Sequence, residues 1–240
     1  MTQFVLITCE HGGNQIPSAY RHFFRGRRGL LNSHRGYDAG ALVMAQELAA
    51  AVGAPLVSAT VSRLLVDLNR SVGHARFHID TVRAAGDEVC EAIVKRYYDP
   101  YRAKVERHVA RAVASRRRVI HISAHSFTPQ LDGEVRSADV AFLYDPARPG
   151  EVALCERWKT ALQVLAPHLN VRRNYPYAGK GDGLTRSLRR RYSPRRYVGI
   201  ELEINQKHVA GPPRRWRPMR LAIVESLRRA LAGTELIDRN

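Results

Sequence analysis

Val119-Ile120-His121-Ile122-Ser123-Ala124-His125-Ser126 is the stretch that decides the fold, because a buried strand is followed here by polar residues. Its first five residues form an almost continuous apolar run, which is typical of a strand covered on both faces. Strands of this kind belong to parallel sheets that carry helices on both sides. The polar residues at the end of the run then lie where open α/β sheets build their sites, beyond the carboxyl ends of the strands.

Strands and helices alternate along the rest of the chain. Strands are predicted over 4–8, 55–59, 64–68, 119–123, 140–144 and 197–204, with a short one from 171, and helices over 38–51, 87–114, 150–165 and 218–231. The strands at 55–59 and 64–68 suggest a hairpin, and Pro100 marks a potential break in the second helix. This order predicts an α/β fold of three layers, α/β/α, around a mainly parallel mixed sheet. No linker, repeat or low-complexity block divides the chain, so one domain over 1–240 is expected.

The bulk composition indicates an ordinary globular protein. With 240 residues, 45% of them hydrophobic and 25% charged, the chain can form a full core. No apolar run is long enough to span a membrane, and the apolar N-terminal stretch lacks the basic region of a signal peptide. The three cysteines, Cys9, Cys90 and Cys155, form no CxxC pair, which fits a reducing cytoplasm.

The formal net charge of +17 is large and has two interpretations. One is a surface that binds nucleic acid or an anionic membrane. The other is an arginine-rich composition spread over helix surfaces. The basic clusters are dispersed along the chain, at 25–28, 116–118, 189–191 and 214–220, and no nucleic-acid motif or aromatic ladder accompanies them. The second interpretation is therefore favoured, and the charge is expected to attract anionic substrates rather than nucleic acid.

The segment Ser62-Arg63-Leu64-Leu65-Val66-Asp67-Leu68-Asn69-Arg70 places polar residues at both ends of a short apolar run. We interpret the run as a buried strand whose ends present Arg63, Asn69 and Arg70. A guanidinium matches two carboxylate oxygens, and an asparagine adds an amide donor. The segment therefore predicts a binding site for a carboxylate, which indicates a small acidic substrate if that carboxylate belongs to a ligand.

Two histidines have the context of metal ligands. His11 follows the first predicted strand, and His125 follows the strand at 119–123. Two histidines and a carboxylate with an open position form a catalytic zinc site. One candidate for the carboxylate is Asp38, whose alternative role is to cap the following helix. The other is Glu10, which neighbours His11 in an extended segment and should point away from it.

The last predicted strand carries two carboxylates, Glu201 and Glu203, on one face, because side chains alternate with a period of two. A carboxylate on a buried strand needs a function. Beside a metal it can serve as the base that deprotonates water.

A serine or cysteine nucleophile is the alternative chemistry. Ser123 or Ser126 lies near His125 in sequence, and Cys9 lies near His11. No G-x-S-x-G elbow is present, and a small buried cysteine at a strand end is common. Hydrolysis at a metal is therefore favoured over both.

Five motifs together resemble the N-formylglutamate amidohydrolase family. In chain order they are Cys9-Glu10-His11-Gly12-Gly13-Asn14-Gln15-Ile16-Pro17, the segment around Asp38, Ser62–Arg70, Ala124-His125-Ser126-Phe127 and Gly199-Ile200-Glu201-Leu202-Glu203-Ile204-Asn205-Gln206. The resemblance implies a zinc-carboxypeptidase-like fold. It also implies zinc-dependent hydrolysis of a small anionic N-acyl amino acid, with N-formyl-L-glutamate giving formate and L-glutamate.

The resemblance assigns roles to individual residues. His11 and His125 match the metal-binding histidines, and Glu203 matches the glutamate that acts as general base and acid. The set that resembles the substrate-carboxylate site of the wider superfamily is Arg63, Asn69 and Arg70.

One position departs from the wider pattern. Zinc carboxypeptidases and aspartoacylases carry a ligand glutamate three residues after the first histidine, where this chain has Asn14. A neutral amide is a poor zinc ligand, so Asp38 is taken as the third ligand. Zinc is the expected metal, with another divalent ion as the alternative.

Two other functions remain open. The first is a related zinc amidase or carboxypeptidase that acts on another N-acyl amino acid or peptide. The second is a non-catalytic binding protein that uses the basic surface. The glycine-rich segment 176–183 is either a loop that closes over the site or an ordinary connection.

Overall fold

The computed structural model describes residues 2–211 and 213–232, apart from the side chains of Pro213 and Arg215. Within these ranges the strands are β1 (Gln3–Cys9), β2 (Leu56–Ser58), β3 (Arg118–Phe127), β4 (Gln130–Leu131), β5 (Glu134–Val135), β6 (Val140–Leu143), β7 (Val171–Arg173) and β8 (Tyr197–Asn205). The α-helices are α1 (Arg28–Leu31), α2 (Ala41–Val52), α3 (Asp80–Arg83), α4 (Asp87–Ile93), α5 (Asp99–Ala114), α6 (Pro149–Leu165), α7 (Leu184–Arg191) and α8 (Pro213–Ala232). A 3₁₀ helix covers Ser18–Phe24, and a π-helical turn at Val94–Tyr98 joins α4 to α5.

Six strands form the central sheet in the order β2-β1-β3-β8-β6-β7. The first four of these run parallel to one another. Strand β6 is antiparallel to β8, and β7 is parallel to β6. Helices α2, α6 and α8 pack on one face of the sheet, while α5 and α7 pack on the other. The predicted three-layer fold around a mainly parallel mixed sheet is therefore confirmed.

The central strand β3 is longer than predicted. The apolar run ends at Ser123, but pairing with β8 continues to Phe127, which lies opposite Asn205. Alternation along β3 turns Ile120, Ile122 and Ala124 towards the core under α2, α6 and α8. The intervening residues face the α5 side of the sheet. His125 therefore lies within the strand, on its polar stripe, and not after it.

The predicted strand over 64–68, and with it the hairpin, is wrong. The segment forms consecutive turns, with backbone bonds from Leu65 and Val66 to the carbonyl of Ser62. The Ser62 hydroxyl also accepts the backbone N–H of Leu64 at 3.3 Å, and such side-chain bonds compete with sheet pairing. The apolar side chains are nevertheless buried, in the core beneath α5.

Two helix starts differ from the sequence prediction, and a π-helical turn occurs within the predicted helix over 87–114. Helix α2 begins at Ala41, and its cap is Gly40 in the left-handed region, with no side-chain capping bond. The N-cap role considered for Asp38 is therefore wrong. The interruption near Pro100 is the π-helical turn before it, and Pro100 occupies the first turn of α5, where proline is tolerated. Helix α8 begins at Pro213, before Pro218, which lies inside it.

Candidate active site

The carboxyl ends of three neighbouring parallel strands bring the predicted site residues together. His11 follows β1, His125 lies near the end of β3, and Glu203 lies near the end of β8. His125 and Glu203 are direct partners in the β3–β8 register. All three side chains are buried. The order β1-β3-β8 in the sheet explains why residues so far apart in sequence converge on one site.

Asp38 completes a cluster with the two histidines. Its backbone N–H donates to the carbonyl of His11 at 2.9 Å, which fixes the loop before α2 against the end of β1. Asp38 Oδ2 lies 2.8 Å from Nδ1 of His125 and 3.3 Å from Nδ1 of His11. One potential ligand atom from each of His11, Asp38 and His125 lies within 4.8 Å of the others. The structure thus joins the three residues predicted as metal ligands.

The opposite ring nitrogens have their own carboxylate partners. His11 Nε2 lies 2.7 Å from Oδ1 of Asp67, and His125 Nε2 lies 3.2 Å from Oε2 of Glu10. Metal-binding histidines commonly donate their second N–H to such a carboxylate, which fixes the tautomer and the ring orientation. Both imidazoles can then present Nδ1 to one ion beside Asp38. The donor set of two histidines and one carboxylate fits zinc.

Glu10, the alternative to Asp38, lies elsewhere, and so does Asn14, which occupies the position of the ligand glutamate in the wider pattern. Glu10 contacts the Nε2 side of His125, away from the Nδ1 atoms that face Asp38. Asn14 donates to Asn32 Oδ1 at 2.8 Å in an exposed position outside the cluster. The chain thus has Asn14 where the wider pattern has a ligand glutamate, and Asp38 is the carboxylate that lies with His11 and His125.

Opposite charges keep the buried carboxylates ionised. Burial alone would raise the pKa of Asp38, but His11, His125 and Arg63 hold it well below its usual range. Burial likewise opposes ionisation of Asp67, whereas Arg63 and His11 lower its pKa. Both carboxylates are therefore available as anions, one facing the ligand atoms and one behind His11.

Glu203 differs from these carboxylates. Burial raises its pKa to about 8, an effect that His125 opposes and Asp38 and Glu201 reinforce. Its Oε2 atom is buried and has no hydrogen-bond partner among the described side chains and backbone. A buried carboxyl group with a free oxygen and a pKa near neutrality has the properties of a general acid or base.

Arg63 is held by the cluster. Its Nη2 donates to Asp67 Oδ2 at 2.8 Å, its Nε to the same oxygen at 3.2 Å, and its Nη1 to Asp38 Oδ1 at 3.2 Å. Its side chain is 25% exposed and lines the adjoining cavity. The sequence prediction placed Arg63 with Asn69 and Arg70, but its guanidinium is bonded to the carboxylates beside the histidines.

Asn69 and Arg70 line the same cavity. Asn69 Oδ1 accepts the backbone N–H of Leu184 at 2.7 Å, and its Nδ2 lies 3.4 Å from His125 Nε2. Arg70 Nη1 donates to the carbonyl of Asp182 at 2.7 Å. The buried Nε of Arg70 has no hydrogen-bond partner within the described ranges. Arg70 is thus anchored through Nη1 to the glycine-rich loop, and its side chain lines the cavity.

The cavity has a volume of about 920 Å³ and opens in front of His11, Asp38, His125 and Glu203. The predicted glycine-rich loop lines it through residues 176–179 and 181–182. Arg136 stacks on Tyr177 of this loop and donates to its hydroxyl at 2.9 Å. The loop therefore forms one wall of the cavity.

Sequence reasoning missed Asp67 and the position of Glu10. Asp67 supports both His11 and Arg63, yet it was treated as part of an apolar run. Its spacing of four residues from Arg63 was the available signal, because such a pair can meet only if the segment turns. The contact between Glu10 and His125 had no signal of its own, since it depends on the β1–β3 pairing.

The sequence and the fold of this chain are similar to those of known proteins. The model of the family described as N-formylglutamate amidohydrolase matches residues 4–210. The chain is similar to gene product Atu2144 from Agrobacterium tumefaciens, with 28% identity and a TM-score of 0.77 over 97% of this chain and 92% of that one. It also shares its fold with N-formylglutamate amidohydrolase from Ralstonia eutropha JMP134, with 17% identity and a TM-score of 0.67 over 96% and 94% of the two chains. No curated protein sequence gives a significant match.

These similarities confirm the resemblance and the fold class inferred from the sequence. Across residues 2–211 and 213–232, no helix combines the length and apolar character needed to cross a membrane.

Proposed function

Because the chain belongs to the N-formylglutamate amidohydrolase family, we propose that it hydrolyses an N-acyl acidic amino acid, with N-formyl-L-glutamate giving formate and L-glutamate. The observation that carries the proposal is the position of Glu203. Its buried Oε2 has no hydrogen-bond partner among residues 2–211 and 213–232. Glu203 lies opposite His125, beside a cluster of potential metal ligands, and lines the cavity that Arg70 also lines. A general base, a metal cluster and a carboxylate-binding group thus surround one space.

We assign the metal site to His11, Asp38 and His125, and zinc is the metal that this donor set fits. When bound, such an ion polarises a carbonyl oxygen and lowers the pKa of water to about 7. Asp67 holds the imidazole of His11 from behind, so that its Nδ1 atom faces Asp38.

Glu203 is proposed as the proton carrier. As a carboxylate it takes a proton from the attacking water while the water oxygen bonds to the formyl carbon. As a carboxylic acid it then gives that proton to the amide nitrogen, and the carbon–nitrogen bond breaks. Burial raises the pKa of Glu203 to about 8 in the metal-free protein. The positive charge of a bound metal would favour the carboxylate form, in which Glu203 accepts the proton.

The substrate carboxylate is proposed to bind Arg70 and Asn69. Arg70 lines the cavity and its guanidinium carries charge-assisted donors, and Asn69 is its neighbour in sequence and lines the same cavity. Bonds at the far end of the substrate fix the position of its amide relative to Glu203.

Arg63 is proposed to act close to the reacting amide. Its guanidinium is held by Asp67 and Asp38, and part of it faces the cavity. A fixed cation at this position stabilises negative charge that develops on the carbonyl oxygen. This role differs from the carboxylate binding that its place in the sequence motif suggested.

The cavity size favours a second candidate, a related amidase that acts on a larger N-acyl amino acid or peptide. A volume of about 920 Å³ lies near the upper end of the roughly 300–1,000 Å³ found for sites of drug-sized ligands. N-formyl-L-glutamate is smaller than such ligands and would leave part of the cavity to solvent.

One experiment separates these functions. Purified protein loaded with zinc is incubated with N-formyl-, N-acetyl- and peptidyl-L-glutamate and with the matching aspartates, while the released acid and amine are quantified. The proposal expects the highest kcat/KM for N-formyl-L-glutamate. Preference for a peptidyl substrate would establish the second candidate, and absence of hydrolysis of all of them would refute both. A cytoplasmic location remains a prediction from the cysteine pattern.

A further inference from the structure

Glu10 is a buried carboxylate that the proposed reaction does not use directly. It is fully buried within the α5 side of the sheet. An ionised carboxylate without partners would be strongly unfavourable at such a position. Its hydrogen-bond partners therefore show which groups stabilise its negative charge and which residues it contacts.

The two oxygens of Glu10 have different partners. Oε1 accepts the Tyr101 hydroxyl at 2.8 Å. Oε2 accepts the Ser123 hydroxyl at 2.5 Å and lies 3.2 Å from Nε2 of His125. The Ser123 hydroxyl oxygen also lies 2.9 Å from this Nε2, so Ser123 and Glu10 together face the same side of the ring. The Thr8 hydroxyl also bonds to Glu10. One oxygen thus faces α5, and the other faces the candidate metal ligand.

A chain of buried side chains leads to Glu10 from the middle of the sheet. Tyr197 OH lies 2.7 Å from Nδ1 of His121, and His121 Nε2 lies 2.9 Å from Oγ1 of Thr8. Burial lowers the pKa of His121 to about 4, so its ring is neutral and carries one N–H.

Only one orientation of this chain gives each hydrogen an acceptor among the contacts described. Tyr197 donates to Nδ1 of His121, the Nε2–H of His121 donates to Thr8, and the Thr8 hydroxyl is left to donate to Glu10. In the reverse orientation, Thr8 would donate to Nε2 of His121, and the Nδ1–H of His121 would donate to the Tyr197 oxygen. The hydroxyl hydrogen of Tyr197 would then have no acceptor among these contacts. The chain therefore ends with its donors directed at Glu10.

We propose that Glu10 is the positioning residue of His125: it accepts the Nε2–H of this ring, fixes its tautomer and directs Nδ1 towards the metal. Carboxylates in this role raise the basicity of the ligand and its affinity for metal, and their loss typically weakens binding about 10- to 100-fold. Asp67 holds His11 in the same manner through its own Nε2. The inference rests on the metal site of the proposed function, but it adds a residue that lies outside the ligand set.

The test uses Glu10→Gln, which keeps the shape of the side chain and removes its charge. Tyr101→Phe is the matched control, because it deletes a hydrogen bond to the oxygen of Glu10 that faces away from His125. Zinc affinity of each full-length protein is measured by competition with a chromophoric chelator, and folding by circular dichroism. We expect Glu10→Gln to weaken zinc binding about 10- to 100-fold. Tyr101→Phe should stay within about threefold of the wild type, since a neutral hydrogen bond contributes mainly to stability.

A second readout follows the ring itself. In the zinc-loaded wild type, the Nε2 proton of His125 should give an exchange-protected, strongly downfield proton resonance, and Glu10→Gln should move it upfield. Equal zinc affinities of Glu10→Gln and Tyr101→Phe would overturn the proposal. If Glu10→Gln does not fold, absence of the downfield resonance from the zinc-loaded wild type would overturn it instead. Failure of the wild type to bind zinc would refute the metal site of the proposed function as well, which distinguishes that outcome from the others.

Discussion

His125 and Glu203 lie directly opposite each other on the neighbouring parallel strands β3 and β8. The pairing places a candidate metal ligand and a candidate general base on one face of the sheet, about one strand spacing apart. Both positions belong to rigid, buried elements, so their relative geometry is set by the sheet and not by loops. Substitutions at these two positions should therefore separate metal binding, assigned to His125, from proton transfer, assigned to Glu203.

Glu203→Gln should retain bound zinc and lose turnover. The amide keeps the size of the side chain but cannot accept and return a proton, and such a loss typically lowers rates about 10²- to 10⁴-fold. Formate release gives kcat, and elemental analysis gives the zinc content. Glu201→Gln is the control, because Glu201 lies on the same face but accepts the Thr185 hydroxyl at 2.7 Å. A near-normal kcat for Glu203→Gln would exclude it as the base.

His125→Ala should bind zinc far more weakly than the wild type and lose activity with it. The substitution removes one of three ligands and leaves Asp38 without its closest partner, at 2.8 Å. The control is His121→Gln, since His121 lies four residues earlier on the same strand but faces Thr8 and Tyr197. Stoichiometric zinc in folded His125→Ala, measured by elemental analysis after dialysis, would contradict the ligand assignment.

The site was predictable from sequence where it depends on strand ends. His11 and His125 each follow an apolar run and Glu203 lies near the end of another, and parallel neighbours bring such ends together. Asp38 was selected by chemical type, and its N-cap alternative could be rejected only in the structure, where Gly40 caps α2.

The segment 62–70 could not be predicted from its apolar pattern. A short apolar run indicates burial but does not distinguish a strand from buried turns. Here side-chain bonds decide, because Ser62 caps the turn and Arg63 pairs with Asp67. The same pair holds Arg63 beside His11 and Asp38, while its side chain still lines the cavity with Asn69 and Arg70. The contact of Glu10 with His125 depends on the register between β1 and β3. The pattern of apolar and polar residues does not determine that register.

Arg70→Lys should raise KM for N-formyl-L-glutamate about tenfold or more and change kcat less. Lysine keeps the charge but lacks the Nε donor and the planar fork that suits a carboxylate. Arg76→Lys is the matched control, because Arg76 lines the same cavity from an exposed position. Steady-state kinetics with both variants gives the two parameters. An unchanged KM for Arg70→Lys would remove Arg70 from the carboxylate site.

The metal-free protein should become less stable as pH rises, because burial raises the pKa of Glu203 from 4.5 to about 8. The folded state then holds this proton more tightly than the unfolded state does. The resulting stabilisation is complete below about pH 4.5 and is lost as pH rises through about 8, by an amount on the order of a few kcal/mol. Glu203→Gln removes this dependence. The free energy of unfolding in urea is measured for both proteins at pH 5.5 and pH 8.5. The value for Glu203→Gln minus that for the wild type should be larger at pH 8.5. An equal difference at both pH values would contradict the prediction.

Asp67→Asn should weaken zinc binding although Asp67 is not a ligand. Its Oδ1 lies 2.7 Å from His11 Nε2, and its Oδ2 accepts two bonds from Arg63. Without the negative charge, His11 becomes a less basic ligand and Arg63 is paired with Asp38 alone, which draws that carboxylate away from the metal. We expect an affinity loss of about 10- to 100-fold, measured by chelator competition.

Asp139→Asn provides the comparison for the loss of a buried ion pair. Asp139 is also buried, and it pairs with Lys207 and His208 through Oδ1 at 2.7 Å, outside the metal cluster. Both variants should unfold at lower urea concentration than the wild type, but only Asp67→Asn should lose affinity for zinc. Equal zinc affinities of the two variants would show that Asp67 acts on stability alone, and that the imidazole of His11 needs no carboxylate behind it.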